Sequence, residues 1–97
     1  MTVINRRVFH VLQKFPDRSG EIKRLFKESP VFQTICGDYR KCVEALHHWN
    51  QSNAKEAPAR REEYATLLRD LEVEILQSLD IAAPRLNKTI SLVKKKE

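Results

Sequence analysis

Apolar side chains recur at alternating spacings of three and four through the middle of the chain: Phe32, Ile35, Cys36, Tyr39, Cys42, Val43, Leu46 and Trp49. That period lines one face of a helix. Ser29 precedes it as a cap residue, and Pro30 takes the first helical position, where its missing amide hydrogen costs nothing. The spacing predicts a helix over about 30–50, weakened at Gly37 by about 1 kcal/mol. The polar and small residues 50–57, NQSNAKEA, predict a turn. From Pro58 a second period runs through Tyr64, Leu67, Leu68, Leu71, Ile75 and Leu79, with Glu62 and Glu63 near its start, where the helix dipole favours negative charge. Segments 30–50 and 58–80 together predict a long antiparallel helical hairpin.

Toward the N-terminus, Ile4, Val8, Val11, Leu12 and Phe15 form one helical stripe, which FPDRSG interrupts. GEIKRLFKE then predicts a short helix carrying Ile22, Leu25 and Phe26. After Leu79 the pattern fades, and Pro84 is expected to stop the helix. The expected fold is therefore all-α, with shorter N-terminal helices packed on the hairpin. Residues 1–80 are expected to form one helical domain, and 81–97 a basic tail, docked or disordered. Val73 points about 180° from Tyr64, and Leu76 about 120°, so a second apolar strip lies outside the seam. Either the N-terminal segments cover that strip, or a second copy packs on it as a homodimer and completes a four-helix bundle.

Composition narrows the class. The chain has 97 residues, 41% hydrophobic and 32% charged, with two glycines and four prolines, which suits one small helical domain rather than a disordered tail. No apolar run is long enough to span a bilayer, and the arginines in MTVINRRVFHVLQKF break any signal-like segment. A soluble cytoplasmic protein is expected. Cys36 and Cys42 sit about 9 Å apart along one helix, too far for a disulfide, so both are expected as reduced thiols.

The net charge of +5 is uneven. Residues 1–30 carry seven Lys or Arg against three Asp or Glu, and residues 81–97 carry five against one. Residues 58–80 carry three against six. Basic ends raise a nucleic-acid reading through Arg6, Arg7, Arg85, Lys88, Lys94, Lys95 and Lys96, because phosphate neutralisation drives such binding. No helix-turn-helix glycine pattern or aromatic–basic strand motif accompanies them.

CVEALHHWN concentrates the side chains with chemical potential. Glu44 and His47 spell the E-x-x-H of bundle-core metal sites, but Glu44 points about 150° from the apolar centre of its helix and His47 about 90°. Ligands of such a centre must project inward, so no metal or other cofactor is expected. Cys36 and Cys42 fall on the apolar face, where they read as small core residues rather than nucleophiles. There is no phosphate-binding glycine loop and no G-x-S-x-G. No enzymatic activity is expected.

IKRLFKESPVFQTICGDYRKCVEALHHW, followed after the turn by EYATLLRDLEVEIL, resembles the small bacterial helical-hairpin proteins of the YdcH type. Leu25, Phe32, Asp38, Tyr39, Leu71, Glu74 and Ile75 are the matching positions. The resemblance spans roughly residues 22–79, departs in the two cysteines and the basic extensions, and implies a hairpin without a reaction. The expected function is a non-enzymatic protein–protein interaction module, binding a partner or a second copy of itself through Trp49, Val73 and Leu76. The alternative is a nucleic-acid-binding accessory protein that uses the basic ends.

Overall fold

Ser29 caps the central helix from its extended backbone position: its hydroxyl accepts a hydrogen bond from the Phe32 backbone N–H at 3.1 Å. Pro30 follows at the first turn, so a single residue separates the helix that ends at Glu28 from the one that starts at Pro30. The computed structural model describes residues 6–86, and those residues contain helices and no strand. Four α-helices pack together: α1 (Arg6–Lys14), α2 (Ser19–Glu28), α3 (Pro30–Asn50) and α4 (Ala57–Leu86). A 3₁₀ turn, Pro16–Arg18, makes the corner between α1 and α2, again with proline at its start.

α3 and α4 pack against each other. The Cys42 Sγ donates to the Tyr64 carbonyl at 3.3 Å, Tyr39 reaches Glu72, and Phe32 borders the same hollow as Ala82. Phe32, Cys36, Tyr39 and Cys42 of α3 meet Leu71, Ile75, Leu79 and Ala82 of α4, and Val8, Val11, Ile22 and Leu25 complete the buried core. α1 packs on α3, while α2 reaches both α3 and α4. Gly37 has a use here. A Cβ at that position would come 3.2 Å from Arg7 Cδ, so the glycine leaves α1 room to lie close against α3.

Two boundaries differ from expectation. The last helix begins at Ala57 and runs through Pro84 to Leu86 rather than ending near residue 80. Proline near a helix end removes only one late hydrogen bond and keeps a helical φ, so it does not force the chain out at once. Buried Ala82 shows that packing continues past the expected end. Residues 81–86 therefore belong to the helix, while the remainder of the expected tail, 87–97, and Ile4 of the first stripe lie outside the described residues.

Burial also separates neighbours on α4. Ile75 is 0% exposed and Val73 is 53% exposed. Ile75→Val should lower the unfolding free energy by about 1 kcal/mol. Val73→Ala should change it by less than about 0.5 kcal/mol. Urea unfolding followed by circular dichroism reads both, and equal losses would contradict this packing.

Candidate protein-binding face

α1, the 3₁₀ turn and α2 approach the α3–α4 pair from one flank. On α4 that flank carries Glu72, Leu76 and Asp80, each four residues from the next. Glu72 Oε2 accepts a hydrogen bond from the Tyr39 hydroxyl at 2.9 Å and pairs with Lys14 at 3.7 Å. Asp80 accepts from Arg18 Nη1 at 3.2 Å, and the same guanidinium holds Glu21 at 2.7 Å. Leu76 is half-buried between the two carboxylates.

Among the described residues the opposite flank is open over most of its length, with the C-terminal end of α2 bordering it at one end. At 100° per residue, positions seven apart differ by only about 20°. Val31, Asp38 and Ala45 therefore form one stripe along α3, and Leu67, Glu74 and Ile81 form another along α4. Val31 shares a hollow with Ile81, and Ala45 shares one with Leu67. Leu25, Val31, Phe32, Ser78, Ile81 and Ala82 border a shallow hollow of about 450 Å³ at one end. Asp38, Lys41, Cys42, Ala45, Leu67 and Leu71 border another of about 460 Å³ toward the other end. Val31 is 70% exposed, Ile81 80% and Leu67 46%. Val31 and Ile81 stand together at one end of this face, and Leu67 lies about 21 Å along α4 from Ile81. Asp38, Asp70 and Glu74 also lie exposed on this flank, and none of them forms an ion pair among the described residues.

The residues singled out from the sequence do not share one surface. Trp49 is half-buried in the last turn of α3; its ring meets His48 edge-on at 5.0 Å, and its carbonyl accepts from Arg61 at 3.1 Å. Val73, twelve residues beyond Arg61 and so about 18 Å along α4, is exposed away from the covered core. Leu76 belongs to the flank that α2 approaches. Leu67, expected within the seam, is instead half-open to solvent. Val31, Leu67 and Ile81 were missed as a set: Val31 reads as a helix start, Leu67 as core and Ile81 as tail. Their seven-residue spacing to Asp38 and Glu74 was the available signal.

Of the basic candidates, Arg6 and Arg7 are exposed on α1, and the Arg7 guanidinium stands 5.6 Å from the centroid of the Phe26 ring. Lys23, Arg24 and Lys27 of α2 are also exposed, three residues the sequence did not point to. Arg85 falls in the last turn of α4, and Lys88, Lys94, Lys95 and Lys96 lie outside the described residues.

Glu44 is exposed and paired with Arg40 at 3.2 Å, while His47 and His48 face solvent. No cluster of three or more His, Cys, Asp or Glu that could hold a metal ion occurs among the described residues. Burial pushes the Cys36 thiol from its ordinary 9.0 up to about 12, against a smaller opposing pull from Arg7. Burial, then the charge of Glu72, raises the Cys42 thiol as well. Among the described residues no helix is long and apolar enough to cross a membrane. Comparison of the chain with family models, curated proteins and solved structures found no match.

The thiol environment has two measurable consequences. Labelling of Cys36 at pH 8 should run at least about a hundredfold slower in the native protein than in urea, because the thiolate is the reacting form. Above pH 9 the unfolded chain releases the Cys36 proton while the folded chain keeps it. The unfolded state then binds fewer protons, so stability is full below pH 9 and falls as pH rises toward 12. Urea unfolding at pH 7, 9 and 10 should show that loss, and Cys36→Ala should reduce it, the raised Cys42 thiol contributing to the remainder.

Proposed function

We propose that this protein is a non-enzymatic protein-binding module, in which α3 and α4 act as a hairpin and present their uncovered flank to a helical partner. The observation that carries this reading is the alignment of exposed Val31, Leu67 and Ile81 along one face, bordering two hollows. Surfaces of this kind accept helices that insert apolar residues at helical spacing. The side chains with reactive potential point the same way: the two thiols are buried and held protonated, and Glu44 is engaged by Arg40. Phe32, Tyr39, Leu71 and Ile75, four positions of the YdcH-type resemblance, are core residues, which suits a shared hairpin scaffold. A second copy of the chain and an unrelated protein both belong to this partner class. Trp49, at the end of α3, extends the face toward the turn.

A second reading, nucleic-acid binding, is favoured by the Arg7–Phe26 contact that joins the basic residues of α1 and α2. In that case Arg6, Arg7, Lys23, Arg24 and Lys27 contact phosphates, with Arg85, Lys88, Lys94, Lys95 and Lys96 adding to the charge. Binding would then weaken steeply with salt.

Parallel affinity captures from the native host separate the two. A Leu67→Arg, Ile81→Arg double variant should lose the captured protein partner, whereas Val73→Arg should retain it. If all three baits hold the same proteins, the face is not the binding surface. If the bound material instead disappears with nuclease and with Lys23→Glu, Lys27→Glu, the second reading replaces the first.

A further inference from the structure

We infer that the occupant of the uncovered flank is a basic amphipathic helix from another protein, laid between α3 and α4 with apolar side chains at both ends and Lys or Arg in the middle. This rests on the docking reading above and names what docks there. Both stripes have the same order. Val31, Asp38 and Ala45 run apolar, acidic, apolar along α3, and Ile81, Glu74 and Leu67 repeat that order in the same spatial direction on α4. Asp70, four residues from Glu74, adds a third carboxylate beside it, while Lys41 is the cation bordering the upper hollow. Glu28 borders the lower one.

A helix in this groove meets both stripes at once. Seven residues advance it by about 10.5 Å, so its apolar residues fall at positions i and i+14 and its cation at i+7. A wholly apolar helix would strip water from Asp38 and Glu74 without replacing it, an unfavourable exchange for two charges. A second copy fares worse. A two-fold axis through the middle of the face brings Asp38 and Glu74 against their own equivalents, four carboxylates in one place, and like charges juxtaposed across an interface oppose binding. Pairing off-centre, through one apolar end alone, leaves the other hollow uncovered.

The probe is a synthetic 24-residue helical peptide with leucine at positions 4, 7, 18 and 21 and arginine at 11 and 14, alongside a second peptide with glutamate at 11 and 14. Each is titrated into the full chain while the methyl NMR signals of Val31, Leu67 and Ile81 are followed. The arginine peptide should move those signals and bind at least tenfold more tightly than the glutamate peptide. Asp38→Lys, Glu74→Lys should reverse the order; Asp38→Asn, Glu74→Gln, which keeps shape and removes charge, should abolish the preference. Circular dichroism checks that both variants fold. If both peptides shift these methyls with equal affinity, the face docks helices but the charge assignment is wrong. If neither reaches them, the docking reading itself fails. Sedimentation showing a dimer that Leu67→Arg dissociates would make a second copy the occupant and overturn the inference. So would arginine-peptide binding that appears only after removal of residues 87–97, since the chain's own segment would then hold the groove.

Discussion

The structure depends on a mismatch of helix lengths around one apolar seam. α3 has 21 residues and α4 has 30, so they extend about 31 and 45 Å, whereas α1 has 9 and α2 has 10, about 14 and 15 Å. Two helices alone bury only a narrow strip on each other, and a third layer is needed to exclude water from the sides of that strip. The short helices provide such a layer once, on one flank. Phe32, Cys36, Ile75 and Leu79 reach 0–1% exposure where α1 and α2 reinforce the seam. Toward the turn, Val43, Tyr64 and Leu68 are only partly buried. Among the described residues, α1 and α2 are too short to wrap both sides.

The covered flank combines the apolar packing of α1 and α2 with polar ties to α4. Lys14 and Arg18 reach across to Glu72 and Asp80, and the Tyr39 hydroxyl adds a hydrogen bond to the half-buried Glu72 carboxylate. Exposed pairs of this kind contribute little to stability, typically between 0 and about 1 kcal/mol each. Gly37 gives α1 room to approach, because a Cβ there would meet Arg7. The Tyr39 phenol is raised above its ordinary value, first by burial and then by its bond to Glu72, so it donates to the carboxylate across the neutral range.

Local rules made the helical elements legible. Ser29 and Pro30 announce the start of α3, and a period of three and four identifies which side chains of α3 are buried, because cap chemistry and amphipathicity are properties of neighbouring residues. Pro84 misleads because its local penalty is smaller at a helix end than in the middle, and the packing of Ala82 overrides it. The candidate face was less legible for a different reason. Periodicity shows that Leu67 and Leu71 lie near one apolar side, but not that short helices cover the other edge of that side and leave Leu67 at the margin. Val73 and Leu76 looked alike as residues outside the seam. They part company only because Leu76 sits between two carboxylates that reach toward the N-terminal layer, and Val73 does not.

Acidic residues interrupt the apolar positions on the flank left open by the described residues. An unbroken line of Val31, residue 38 and Ala45 beside Leu67, residue 74 and Ile81 would be one long apolar groove, and contiguous exposed apolar surface drives self-association. Asp38 and Glu74 divide it into two smaller patches at the level where two copies would meet most closely. Their hydration is lost if the groove closes on an apolar or acidic surface and is replaced only by a cation. In the proposed docking, the same two carboxylates oppose self-mating and favour a cationic partner, so specificity would arise from a cost imposed on wrong partners as much as from contacts offered to the right one.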